Sequence, residues 1–198
     1  MTLEWWQSDR ARPGLEEALR QYNGMTSSRS PRRALEALSK ILPRPRGPAD
    51  LLREIPEARR PLVGESPAST VPDLFLESIL AQPSGKLAVY GTLAPGEENH
   101  GVLDGIDGVW IDGFVRGALL KSGWGAPLGF PALRWDPSRA GIPVKLLVSP
   151  HLRSHWKRLD EFEGEEYRRI LVPVEQERTT IAVANIYVIN ETPSRDGV

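Results

Sequence analysis

The sequence predicts an α+β protein: a mostly antiparallel, curled or barrel-like sheet with one embedded helix, preceded by a helical extension. Three observations carry this expectation. After residue 85, six short β-branched or aromatic runs are separated by Gly, Pro and Asp. One amphipathic stretch between Ser149 and Gly164 interrupts them. Before residue 85 the apolar residues recur at helical spacing, and 10 of the chain's 18 prolines fall there. Composition therefore divides the chain into a Pro- and Arg-rich helical extension, residues 1–85, and a folded domain, residues 86–198.

In the extension, helical periodicity spans 15–22, 31–42 and 72–81, the second behind a Ser30 cap and a Pro31 first turn. The connectors PRPRGP (43–48) and GESPAST (64–70) cannot continue a helix and carry few core residues. Residues 29–60 hold nine Arg or Lys against four Asp or Glu, either a solvated basic face or a docking surface for an acidic partner. So little apolar surface predicts a partly mobile extension, nicked first by proteases within 43–70. In the domain, strands are expected over 86–90, 113–120, 132–135, 142–148, 168–174 and 181–189. A helix is expected over 150–163, with Ser149 and Pro150 as cap and first turn and Gly164 ending it.

The composition narrows the chemistry. A formal net charge of -1 gives no field to hold a polyanion, so nucleic acid and anionic membranes are not expected partners. Zero cysteines exclude disulfides, a thiolate nucleophile and thiolate metal ligation. His100, His151 and His155 are too few and too scattered for a histidine-based metal cage, so no metal site is expected. No apolar run reaches the roughly 20 residues of a membrane span, and MTLEWWQSDR lacks the basic-then-apolar order of a signal peptide. The expectation is a cytoplasmic protein whose site relies on carboxylates, hydroxyls and backbone.

Two segments could supply such a site. In VYGTLAPGEENH (89–100) an apolar strand runs into Gly91, where glycine admits close approach of a ligand and consecutive N–H groups can converge on an anion; the same pattern also fits a plain turn. In the 150–163 helix, at about 100° per residue, Leu152, Trp156, Leu159 and Glu163 share one face, whereas Glu161 points nearly opposite to Leu152, into water. A carboxylate on an apolar stripe is costly unless hydrogen-bonded or shifted in pKa. Glu163 is therefore either a functional acid or a rim residue on a last turn that frays at Gly164.

Read in order, Val89-Tyr90-Gly91-Thr92-Leu93 with Gly96, Asn99 and His100, then Gly129-Phe130-Pro131-Ala132-Leu133, then Leu159-Asp160-Glu161-Phe162-Glu163-Gly164 with Tyr167 and Arg169, resemble the gamma-glutamylcyclotransferase-like family, closest to its gamma-glutamylamine cyclotransferase branch. The resemblance covers residues 86–189. It implies a small mixed β-barrel with flanking helices and an enzyme that cyclises a small gamma-glutamyl compound to 5-oxoproline, releasing an amine or amino acid without a cofactor. It further implies that Tyr90, Gly91, Thr92 and Leu93 form the substrate-binding loop, that Glu163 is the general acid/base, and that Tyr167 lines the cavity. Arg169 is either part of this set or a surface strand residue, and His100 is expected to cap or lie at the surface. The tryptophans are expected to pack rather than to cage a ligand. Where relatives carry Gly-Glu in the strand before the catalytic helix, this chain reads Ile142-Pro143-Val144-Lys145-Leu146-Leu147. Two other functions fit the same residues: a binding module that captures a metabolite without turnover, and an interaction protein working through its basic extension.

Overall fold

The β-branched and aromatic runs form six strands: β1 (Lys86–Val89), β2 (Val109–Leu120), β3 (Ala132–Trp135), β4 (Gly141–Val148), β5 (Tyr167–Gln176) and β6 (Thr179–Ile189). They are seen in a computed structural model that describes residues 12–24, 77, 80–120 and 131–190. The expected helix 31–42, the proline-rich connectors, the basic stretch and most of the expected helix 72–81 lie outside the described residues. The strands run in the order β3-β2-β4-β1-β6-β5, and β2 also pairs with β5, so five strands close into a barrel with β3 attached to the side of β2. Every pairing is antiparallel except β1 with β6, which is parallel with Leu87 opposite Asn185. Closure needs a close approach: a β-carbon on Gly113 would lie 2.7 Å from Val174 Cγ1, one residue before Phe114 pairs with Glu175.

Strand β2 starts four residues before the expected position. Asp112 and Gly113 read as breaks, yet Asp112 faces solvent and pairs with Lys145 of β4 at 2.6 Å, so the ladder continues through them. The two residues between β5 and β6, Glu177 and Arg178, have φ of 49° and 69°, as a tight two-residue hairpin turn requires.

Alternation along the strands sorts side chains between the barrel interior and its outer face. Val115, Leu133, Val144, Leu146, Val172, Ala184 and Ile186, among others, fill the interior. Leu87, Val89, Leu147 and Tyr187 point outward and are covered by Leu93, Leu103, Ile106, Leu152, Trp156 and Leu159. Leu171 and Val183, also outward, are covered by Leu15, Ala18 and Leu19 of α1 (Arg12–Gly24). The sequence expectation of a helix over 15–22 is met by α1, whose buried leucines each contribute about 1.5–3 kcal/mol. Asn23, at its end, donates to Leu171 O (2.8 Å) and accepts from Leu171 N (3.0 Å), which gives the open edge of β5 the partner that a strand would have supplied. Arg12, at its start, pairs with Glu175 at 2.6 Å. The boundary between a 1–85 extension and an 86–198 domain, which we keep as a proposal, therefore runs through a packed contact.

The helix of the domain differs from its expected bounds. Instead of one helix over 150–163 there is a 3₁₀ turn, Leu152–Ser154, and then α2, Trp156–Glu163. Ser149 does cap the approach, its Oγ accepting from His151 N at 3.1 Å. The α-helix starts late because the carbonyl of His151 is already taken: Ser154 N (3.2 Å), Ser154 Oγ (2.8 Å) and His155 Nδ1 (2.9 Å) all converge on it. His155 N turns to Leu152 O at 2.9 Å instead. Gly164, at φ 70°, ends α2, its N–H reaching Asp160 O at 3.1 Å. Trp156, Leu159 and Glu163 still share one face of α2. Among the described residues no helix is long and apolar enough to cross a membrane.

Candidate active site

Where β1 gives way to its loop, a cavity of about 50 Å³ opens, lined by Ala88, Val89, Tyr90, Gly91, Thr92, Leu93, Pro131, Glu163, Tyr167 and Tyr187. That space holds a few water molecules or the end of a ligand. All six site residues named from the sequence, Tyr90, Gly91, Thr92, Leu93, Glu163 and Tyr167, lie on its wall. They come from three elements: the loop after β1, the last residue of α2 and the first residue of β5.

The loop is held by its own backbone. Ala94 N donates to Gly91 O and Asn99 N to Thr92 O, both at 3.0 Å, and His100 Nδ1 lies 3.0 Å from Leu93 O while its ring packs at 5.7 Å against Trp110. His100 is thus a loop fastener. Among the described residues no group accepts from the N–H of Gly91, Thr92 or Leu93. Three consecutive donors beside a cavity favour an anion or an oxygen carrying partial negative charge. Gly91 is not in the left-handed region, and a β-carbon there would meet nothing within 4 Å, so the glycine keeps the space before the loop clear without serving the turn itself.

Glu163 is half-buried, and among the described residues no hydrogen-bond donor or cation reaches its carboxylate. Burial alone pushes its pKa up from the usual 4.5 to about 7. Three phenols surround it. Tyr90 Oη accepts from Leu133 N at 3.0 Å, which links the loop to β3 and leaves the phenol proton free to donate. Burial raises the pKa of Tyr90, Tyr167 and Tyr187, and the negative charge of Glu163 adds to each rise. All three remain protonated donors at neutral pH. Glu161 stands exposed on the other side of α2, 3.8 Å from Lys157.

Beneath α2 lies a second layer of polar contacts. Tyr187 and Arg169 are cross-strand partners on β6 and β5, and both reach Asp160: Tyr187 Oη donates to Oδ1 at 2.7 Å, while Arg169 forks onto Oδ1 (2.8 Å) and Oδ2 (3.0 Å). Arg169 also donates to Asn185 Oδ1 at 3.2 Å, and its guanidinium lies 4.3 Å from the Trp156 ring centre. Arg169 therefore faces α2, not open solvent. Sequence reasoning missed Tyr187, because β6 is buried on both faces and alternation does not single out a position there; a phenol among the apolar residues Ile186, Val188 and Ile189 was the available signal. Trp156 packs and donates to Ser84 O at 2.9 Å, as a packing tryptophan should, whereas Trp124 lies outside the described residues. Among the described residues no cluster of three or more His, Asp or Glu side chains could hold a metal ion.

The barrel thus brings the Gly91–Leu93 loop and the half-buried Glu163 carboxylate onto the wall of one cavity. The chain belongs to the gamma-glutamyl cyclotransferase, AIG2-like family, whose model matches residues 87–197. No curated protein matches it. Among solved structures it is similar to YkqA from Bacillus subtilis, with 26% identity over 54% of this chain and 36% of that one, at a TM-score of 0.42. It is similar also to an uncharacterized protein from Pyrococcus horikoshii (23% identity, 55% and 80% covered, TM-score 0.39). An AIG2-like protein from Mus musculus matches at 22% identity, with 56% and 80% covered and a TM-score of 0.41. The chain spans about a third of the length of YkqA.

Proposed function

We propose that this chain is a gamma-glutamyl cyclotransferase-type enzyme that converts a small gamma-glutamyl compound to 5-oxoproline and a free amine or amino acid, with Glu163 as general acid/base. The observation that carries this reading is the carboxylate of Glu163, half-buried, unpaired among the described residues and shifted to about 7, on the wall of a cavity it shares with the Gly91–Leu93 amides.

In the proposed reaction the substrate's α-amine attacks its own γ-carbonyl carbon. A C–N bond forms, the amine's proton passes to Glu163, and the carbonyl oxygen takes up negative charge. On collapse the bond to the leaving nitrogen breaks and Glu163 returns the proton to that nitrogen, so no water is consumed and no covalent enzyme intermediate forms. A single group can serve both steps because a pKa near 7 lets it accept and donate near neutral pH. The loop amides would receive the substrate carboxylate or the developing oxyanion, and Tyr90 Oη, whose oxygen is engaged by Leu133 N, has its proton left to donate. Tyr167 would form the opposite wall. Holding the attacking conformer is the rest of the catalysis, since ring closure is intramolecular. The substrate as partner, the absence of a cofactor and a cytoplasmic location belong to this proposal.

The test is turnover on a panel of gamma-glutamyl amines and gamma-glutamyl amino acids with 5-oxoproline detection. Release of 5-oxoproline from at least one, abolished in Glu163→Gln, is the expected result. Tight binding of 5-oxoproline with no turnover on any substrate would favour a binding module instead.

A further inference from the structure

We propose that Asp160 is a positioning residue for Glu163, seated by the Tyr187 hydroxyl and the Arg169 fork so that the last turn of α2 is held down onto the barrel. The inference rests on the reading of Glu163 given above and names a residue on which that site depends.

The geometry is specific. Asp160 and Glu163 are three residues apart on α2, a spacing that stacks their side chains on one side of the helix. Only Gly164 follows, and α2 is eight residues long, too short to hold its own end against fraying. A frayed last turn would release Glu163 into water. Against this, Asp160 Oδ1 and Oδ2 take three hydrogen bonds from two neighbouring strands, and those strands fix the donors: Arg169 lies directly opposite Tyr187, and Asn185, one outward position further along, takes the remaining arm of Arg169. Trp156, at the start of α2, lies against the same guanidinium, so Arg169 touches the first residue of the helix and, through Asp160, the start of its last turn. Tyr187 connects the latch to the cavity, because its side chain lines the space that Glu163 faces. An isolated surface ion pair contributes about 0–1 kcal/mol, and Asp160 and Arg169 retain 43% and 30% side-chain exposure. The latch is therefore better suited to fixing a position than to stabilising the fold.

Its consequence for titration follows from the groups around the site: the phenols of Tyr90, Tyr167 and Tyr187, which feel the Glu163 charge, and behind them the Asp160–Arg169 pair and Glu166, which acts on Tyr167. Burial is what displaces its pKa. Loss of the seat should therefore return Glu163 towards the ordinary carboxylate range whichever latch partner is removed.

Asp160→Asn, Arg169→Gln and Arg169→Lys break the latch differently, and each can be followed in the full chain by the carboxyl carbon resonance of Glu163, assigned by its loss in Glu163→Gln, together with kcat and KM for 5-oxoproline release. The expected result is a Glu163 midpoint lowered in both Asp160→Asn and Arg169→Gln, with kcat down roughly tenfold and KM within about twofold. Arg169→Lys, which keeps one contact, should recover part of both. Midpoints that move in opposite directions in Asp160→Asn and Arg169→Gln would show charge coupling without positioning, and unmoved midpoints with only a lower melting temperature would show a structural brace; either overturns the proposal. The resonance reports without turnover, so an inactive wild-type protein would defeat the reading of the site while the latch is still decided by the midpoints.

Discussion

Glu163 and Glu175 are both withdrawn from water, and the barrel treats them in opposite ways. Glu175, 7% exposed at the seam where β5 meets β2, accepts from Arg116 Nε at 2.9 Å and Nη2 at 3.3 Å and pairs with Arg12 at 2.6 Å. Its charge is compensated by two guanidiniums, one of which carries α1 onto the barrel. Glu163 has no such partner among the described residues, and burial drives its pKa to about 7. A buried acid that is fully paired holds structure together; one that is left unpaired beside a cavity is chemically available. The two should respond to the same chemical change with opposite signatures.

The sharpest way to break this contrast is Glu163→Gln, which keeps shape and removes the proton acceptor. Turnover should fall by roughly 10² to 10⁴ with the fold intact. Stability should move the other way. The folded pKa lies above the unfolded one, so the group's contribution is fully present below about 4.5 and is lost as pH rises towards and through about 7. Glu163→Gln should therefore match wild type near pH 4 and exceed it at pH 8, on the order of 1 kcal/mol once partial exposure is allowed for, in denaturant melts at the two pH values.

Gly91→Val comes next. Its β-carbon meets nothing within 4 Å, so the protein should fold normally, while the valine fills the approach to the loop amides. Affinity for 5-oxoproline, read by calorimetry, should drop about tenfold or more. Unchanged affinity would reduce the loop to a turn.

Removal of residues 1–24 tests the other side of the comparison, since it strips Arg12 from Glu175 and uncovers Leu171 and Val183. A loss of about 2–4 kcal/mol is expected, with a cooperative melt retained. Loss of the cooperative transition would mean that α1 belongs to the domain core and that the division at residue 85 fails. Glu175→Gln should cost less, about 1–3 kcal/mol, because Arg116 and Arg12 keep 32% and 20% of their side-chain exposure and can rehydrate. Turnover per folded molecule should be unchanged.

How much of this was legible in the sequence depended on what each feature rests on. Most strand positions could be read because β-branched and aromatic runs are broken locally, but Asp112 and Gly113 sit inside β2 and hid its start. The barrel-like sheet could be read from short runs around a single helix, but the parallel pairing of β1 with β6 and the seam from Phe114 to Glu175 are long-range choices that no local pattern encodes. The start of α2 at Trp156 was hidden because a carbonyl claimed by Ser154 and His155 is a matter of side-chain geometry. Glu163 was visible through its place on an apolar stripe, whereas Tyr187 and the Asp160 latch depend on register between β5 and β6 and were not. Glu175 was not visible either: its arginines lie 59 and 163 residues away in sequence.

The most direct measurement is the pH dependence of 5-oxoproline release by wild type, Glu161→Gln and Glu163→Gln. Glu161 is exposed, 3.8 Å from Lys157, and contributes at most a few tenths of a kcal/mol, so its variant should overlay wild type. Both should show an acid limb near pH 7, set by the displaced pKa of Glu163, and the limb should vanish with the activity in Glu163→Gln. An inactive Glu161→Gln beside a normal Glu163→Gln would contradict the account at its centre, because the helical face, the buried acid and the assigned base would all be wrong together.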